Sequence, residues 1–444
     1  MSTSCKKLLR GNLIMTDQIF QTTAYKRSRR AYTLECAFEY FVALMVADAF
    51  LATLLTEMGI SDAMIGVISS LISLAFLFQL FSIFVVQHIK NVKMVAIPIH
   101  LVSQMFFLAL YLLPFLGIPA QFRSAAVIGC LLIGYFGNYL VTSVIFDWGN
   151  SFVDPNGRAN FAATKEIISL LSGILVSLLM GSAIDKFMED GNITGGFLFI
   201  ALMMLLMNLG DFICLMLMKN RKKEKQQEEK TEPFWQVVRT LFANKSFVLT
   251  VIVHAIWNIS VYMTVGFMGT YKTKELMLSV GFVQIINIAA CLARAAFSKP
   301  IAHYADKRSY AKGIKLGMMI AAAGYLVNMF TTPSLWWLVI IHTIVYNVSC
   351  AGTSQNLINI TYSYVERRYF VQASAIKFSI SGICGFAASM VGSRILDAVQ
   401  ENGNTVLGIT VYGQQILSAI SLGVVLLGVV FVKFVLEKQK IIAK

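Results

Sequence analysis

The sequence predicts an all-helical integral membrane protein with twelve transmembrane helices in two pseudo-symmetric six-helix bundles. Three observations carry this expectation. Only 14% of the 444 residues are charged while 57% are hydrophobic. The apolar residues gather into twelve runs of membrane-crossing length, and the second half of the chain repeats the first at an offset of 212 residues. A soluble domain shows water far more charge than this, and a mean hydropathy of +0.70 assigns the chain to a bilayer.

A helix needs about 20 mainly apolar residues to cross the hydrocarbon. The first six runs cover residues 34–57, 62–87, 94–116, 124–146, 162–183 and 195–218. The second six cover 247–269, 278–298, 311–331, 334–358, 370–393 and 410–434. Barrel strands alternate apolar and polar residues over about 10 positions, whereas these runs are longer and continuously apolar. The implied organisation is a segment at 1–33, a first bundle at 34–218, a linker at 219–246, a second bundle at 247–436 and a tail at 437–444. The linker carries the mixed-charge run "KNRKKEKQQEEKTEP" (219–233), which reads as solvated and partly helical.

A net charge of +14 invites a nucleic-acid reading, but the distribution of that charge opposes it. Of the 37 Lys and Arg, 31 fall on the side of the N terminus, in its loops, the chain ends and the adjoining span ends. Arg123, Lys186, Lys272, Lys274 and Arg394 are assigned to the opposite side, and Arg294 lies within a span. The positive-inside rule then sets both termini in the cytoplasm, with the chain as a multi-pass protein of the cytoplasmic membrane. The basic excess is a topology signal, so the partners expected are lipid and a small solute, with no nucleic acid and a monomeric chain. Residues 1–33 lack a signal-peptide core and cleavage site, so the first span is expected to serve as an uncleaved insertion signal. Six cysteines sit singly within spans and the five histidines are dispersed, so neither a disulfide framework nor metal-ligand spacing appears.

The stretch "FVDPNGRANFAATK" (152–165) is polar and turn-rich between two apolar runs, and "YVERRYFVQASAIK" (364–377) repeats its outline. At the 212-residue offset Asp154 meets Glu366, Lys165 meets Lys377, Ser169 meets Ser381 and Asp185 meets Asp397. Each stretch is read as the turn between the fourth and fifth helices of its half, which makes Asp154, Arg158 and Glu366 gating positions. Gly173, Ser177 and Gly181 in the fifth helix match Gly385, Ser389 and Ser393 in the eleventh. Small residues at that spacing share one face, where close backbone approach drives helix association in lipid.

Twelve spans in two repeated halves, a charged central loop and internal termini resemble the major facilitator superfamily over residues 34–436. That family often carries Gly-x-x-x-Asp-Arg-x-Gly-Arg-Arg between helices two and three, echoed between eight and nine. The echo here has Ala302 for the first Gly, then Asp306 and Lys307, and Ser309 for the second Gly, while the first copy keeps only Asn91 and Lys93. The resemblance implies that helices one, four, seven and ten line a central site between two rocking halves.

Polar groups within spans are costly, so each asks for a role. Asp48 is the deepest acid and is read either as a proton-titrating or substrate-binding carboxylate or as a helix-pairing residue. Glu39, nine residues earlier, falls on the opposite side of a straight helix and is read as a gating group. His254, Asn258 and Tyr262 share one face of the seventh helix, and Gln284, Asn287 and Arg294 fall near one face of the eighth. Arg294 suits either an anionic substrate group or a carboxylate at an inner gate. Asn138 and Tyr135 in the fourth helix and Asn347 in the tenth complete the candidate lining. Asp211 in the sixth is read as structural. With no nucleophile-base pair, phosphate loop or cofactor motif, the chain reads as a secondary transporter of a small organic solute, with proton coupling as one option, rather than an enzyme. The alternatives are an exporter of amphipathic compounds and, more remotely, a non-transporting membrane sensor.

Overall fold

The computed structural model describes residues 22–81, 91–153, 158–220, 233–366, 369–406 and 409–439. The first span is Thr23–Met45 followed by Asp48–Glu57, bent by 44° at the break. The second runs Asp62–Phe81, the third Val92–Leu116, the fourth Ala120–Asn150, the fifth Arg158–Glu189 and the sixth Ile193–Leu217. The seventh runs Lys245–Glu275, the eighth Val280–Arg308, the ninth Tyr310–Asn328 and the tenth Leu338–Tyr364. Phe370–Glu401 is the eleventh and Gly413–Phe434 the twelfth. Each of the twelve expected runs therefore has its helix.

The helices mostly outlast the apolar runs that announce them, because hydropathy marks only the part in hydrocarbon while the helix continues into the interface. The first span starts at Thr23, not 34, and its basic run is already helical: Arg29 donates to the Phe152 carbonyl at 2.9 Å. The seventh continues six residues past the expected end at 269, a difference that brings Lys272 into the protein interior. The twelfth starts at Gly413 rather than 410, since Thr405–Val406 and Ile409–Thr410 pair as a short antiparallel ladder. Among the described residues, six α-helices begin on a side-chain cap that accepts a first-turn N–H, from Ser61, Asn91, Asn192, Asn244, Ser279 and Ser309.

In the first bundle the first span packs on the fifth and sixth, and the third on the fourth. Leu54, Leu55, Ile65, Leu110 and Met204 fill its core. In the second bundle the seventh packs on the eleventh, and the tenth on the eighth and ninth, around Ile314, Met318, Tyr325 and Val425. The bundles meet where the second span lies on the eleventh and the fifth on the eighth. At Gly382, an added Cβ would come within 2.2 Å of the Ser73 carbonyl oxygen, so only glycine permits this crossing. Among the described residues of the linker, Phe234–Ala243 forms an amphipathic helix that buries Val237 and Leu241 and leaves Trp235 exposed.

Candidate functional site

Two helix breaks build the site. In the first span, Val46 and Ala47 leave helical geometry and Asp48 takes a left-handed φ of +43°. A non-glycine residue there costs about 1–2 kcal/mol and persists only when its surroundings hold it. In the seventh span, the α-helix stops at Tyr262, passes through a 3-10 turn at Val265–Phe267 and ends in a π turn at Tyr271–Glu275. Gly269 lies against the first break: an added Cβ would sit 2.9 Å from both the Asp48 carbonyl oxygen and Ala52 Cβ.

That approach delivers Lys272, whose Nζ lies 3.2 Å from Asp48 Oδ2 and 3.4 Å from Oδ1. Asn287 Nδ2 from the eighth span donates to the same Oδ2 at 2.8 Å. The Lys272 side chain is 5% exposed and that of Asp48 29%, so the carboxylate presents the more open face of the pair. It opens on a cavity of about 290 Å³ between the bundles. Lys272, Asn287, His342, Tyr346 and Asn347 line it with Asp48, and Tyr135 closes the side of the first bundle.

His342 Nδ1 donates to the Gly324 carbonyl at 2.9 Å, because a carbonyl can only accept. In the neutral ring this leaves Nε2 as an acceptor. Its ring lies nearly parallel to that of Tyr346, with an interplanar angle of 25°. Asn347 Nδ2 donates to the Thr343 carbonyl at 3.0 Å. The lining thus combines one internally balanced ion pair, two amides, an imidazole acceptor and two phenol rings.

Beyond the cavity, toward the face opposite the start of the first span, further contacts tie the bundles together. Lys274 pairs with Asp62 at 2.6 Å, and Gln400 Nε2 donates to the same carboxylate at 3.2 Å. Asp185 accepts the Val280 and Gly281 N–H groups, both at 2.8 Å, at the start of the eighth span. Nearer mid-span, Ser73 Oγ donates to the Gly382 carbonyl at 2.8 Å and Ser379 Oγ to that of Phe76 at 3.1 Å.

Of the residues singled out from sequence, Asp48, Tyr135, Asn287 and Asn347 line the cavity. His254, Asn258 and Tyr262 do share a face, but it packs on the eleventh span rather than on the cavity. His254 stands edge-on to Phe378 with ring centroids 4.9 Å apart, and a Cβ on Gly385 would touch Tyr262 and Asn258. Gln284 turns to the fifth span, 3.4 Å from a Cβ built on Gly181. Asn138 accepts from Thr142 at 3.2 Å, away from the lining. Arg294 lies two turns beyond Asn287, within electrostatic reach of Tyr40 and Cys350. Glu39 is half-buried in the first span, outside the cavity. Asp306 and Lys307 are exposed at the end of the eighth span, and Glu366 is exposed after the tenth. Asp154 lies outside the described residues, and Arg158 opens the fifth span with a side chain that does too.

Lys272, His342 and Tyr346 are the residues that sequence reasoning passed over. Lys272 looked like a loop residue because the seventh apolar run ends at 269. His342 and Tyr346 stand at i and i+4, the same spacing that selected the His254 face, so that rule applied to the tenth helix would have found them.

The sequence matches the family model of the Major Facilitator Superfamily over residues 36–393, and the chain belongs to that family of multi-pass membrane transporters. Among solved structures, a point mutant of the nucleoside transporter NupG is similar at 12% identity and a TM-score of 0.73, covering 91% of this chain and 99% of that one. The D-xylose-proton symporter is similar at 12% identity and a TM-score of 0.67, covering 91% and 97%. A bacterial homolog of the human lysosomal transporter Spinster, inward-facing and unoccupied, shows 15% identity and a TM-score of 0.64, covering 93% and 96%. These likenesses establish the shared fold. No curated protein matches the sequence.

Proposed function

We propose that this chain is a secondary transporter that carries a small, neutral, hydroxyl-bearing organic solute by alternating access, with a proton gradient coupled through Asp48. The observation that carries the reading is the cavity between the bundles, framed by the breaks in the first and seventh spans and lined by Asp48, Lys272, Asn287, His342 and Asn347. Its volume of about 290 Å³ is at the small end for ligand sites. The ion pair balances itself, so a solute need bring no net charge. Amide, carboxylate and imidazole groups suit hydroxyls as both donors and acceptors, and the Tyr135 and Tyr346 rings suit a flat or puckered ring face. A nucleoside transporter and a sugar-proton symporter among the fold relatives are consistent with this class.

Coupling follows from Asp48 joining the halves. Protonation removes the charge that holds Lys272 and weakens the tie between first and seventh spans, while solute in the cavity competes for the same carboxylate and for Asn287. The contacts at Asp62 and Asp185 hold the bundles together on the face opposite the termini, so we read this conformation as the one that releases solute toward the terminal side. Under the positive-inside rule that side is the cytoplasm.

A thermal-shift screen of purified protein against sugars, nucleosides and other polyols, followed by uptake into proteoliposomes with and without an imposed pH gradient, tests the proposal. A stabilising solute whose uptake rises with the gradient is the expected result. Stabilisation only by charged or large amphipathic compounds would overturn the solute class.

A further inference from the structure

A second polar cluster lies inside the first bundle, among the first, third and sixth spans and apart from the solute cavity. Glu35, His100 and Asp211 are each at most 2% exposed, and one potential ligand atom of each lies within 4.8 Å of those of the other two. His100 Nε2 stands 2.9 Å from Asp211 Oδ2. The Cys36 thiol donates to Glu35 Oε2 at 3.2 Å. Asp211 Oδ1 and His100 Nδ1 are buried without a hydrogen-bond partner among the described residues. One turn along the same two spans, Gln104 Oε1 and Asn208 Oδ1 are also buried and unpartnered, although the Asn208 amide nitrogen donates to the Gln104 carbonyl at 3.3 Å.

Charge decides what such a cluster is built for. Two carboxylates sit in an apolar interior, and among the described residues no Lys or Arg forms an ion pair with either. A protonated His100 balances only one of them, whereas a divalent cation with neutral imidazole balances both. The unpartnered oxygens are acceptors that a cation, or water bound to it, would satisfy. A donor set of two carboxylates and one imidazole suits Zn²⁺, Mn²⁺ or Fe²⁺, while Ca²⁺ and Mg²⁺ prefer oxygen alone. We propose that Glu35, His100 and Asp211 form a binding site for one divalent transition-metal ion within the first bundle. On binding, protonated His100 loses its Nε2 proton to solvent and keeps the one on Nδ1, so the ring becomes neutral, and any proton carried by Glu35 leaves with it. The freed nitrogen lone pair and one oxygen from each carboxylate then coordinate, and water completes the shell. Half-buried Glu39 lies one turn further along the first span. The site is independent of the solute reading, since none of its residues lines the cavity.

Chelator-stripped full-length protein in detergent, titrated calorimetrically with Zn²⁺ and spectroscopically with Co²⁺, tests the assignment. Saturable binding of one equivalent is expected, weakened about tenfold or more in the near-isosteric variants Glu35→Gln and Asp211→Asn and in His100→Gln. X-ray absorption at the zinc edge of the wild-type protein needs no variant, and it should show nitrogen and oxygen donors including a single imidazole. Three results would each overturn the proposal: no saturable Zn²⁺ or Co²⁺ binding to folded wild-type protein, undiminished binding in the variants, or a spectrum dominated by sulfur or by several imidazoles.

Discussion

Asp48 combines three properties at one residue: a left-handed backbone, an ion pair across the bundle boundary and a face on the cavity. Asparagine keeps the size and also tolerates left-handed geometry, so Asp48→Asn removes charge and titration with little backbone strain. The variant is expected to lose accumulation driven by a pH gradient while keeping substrate binding and counterflow exchange. Full pH-driven accumulation by Asp48→Asn would reject the coupling role. Its partner gives a separate test. Lys272 is 5% exposed at the side chain and Lys274 39%. Lys272→Met should therefore lower stability by on the order of 2 kcal/mol, less than a fully buried pair because Asp48 is partly open. Lys274→Met should cost less, about 1 kcal/mol, because its own head is exposed and the 10% exposed Asp62 carboxylate keeps Gln400 as a donor. Thermal unfolding in detergent compares the two, and equal shifts would show that burial of Lys272 contributes nothing.

At the scale of single helices, the small-residue faces of the fifth and eleventh spans act as contact surfaces. A Cβ on Gly173 would fall 2.3 Å from the Tyr40 ring, and one on Gly385 would fall 2.6 Å from both Ser73 Oγ and Tyr262. Gly423 in the twelfth span has nothing within 4 Å. Leucine at Gly173 or Gly385 is accordingly expected to cost about 1–3 kcal/mol or to arrest transport, while Gly423→Leu is tolerated. Expression, monodispersity and uptake of the three variants check this, and equal tolerance would reduce the repeat to a trace of ancestry. The repeat itself was legible because it lies in side-chain size at fixed spacing. The breaks in the first and seventh spans were not, since "VADAF" and "MTVGF" contain no proline and their departure from the helix depends on what they pack against.

For the whole molecule, the distribution of 37 basic residues is the basis for orientation. In a background without the native cysteines, Glu57→Cys and Asp190→Cys are expected to react with impermeant thiol reagents in intact cells, and Glu229→Cys only after permeabilisation. Both positions on the far face are exposed, so lack of labelling there could not be put down to burial. The reversed pattern would invert the topology and with it the side toward which this conformation releases solute.

Hydropathy, repeat spacing and loop charge belong to the chain itself, because a bilayer imposes the same rule on every segment independently of its neighbours. For that reason twelve spans, two matched halves and the family resemblance could be read directly from residue order. Which polar groups meet is a different kind of quantity. Asp48 and Lys272 lie 224 positions apart, and His100 and Asp211 lie 111 apart. Their encounters depend on where two helices break and on which face each turns to a partner. The His254 face illustrates the limit: its spacing was read correctly, yet packing turned it to the eleventh span and left the cavity to His342, Asn347 and a lysine assigned to a loop. Periodicity reports that polar residues share a side of a helix. What that side faces is decided only when the helices pack, because the energy of a buried polar group resides in its partners rather than in its own segment.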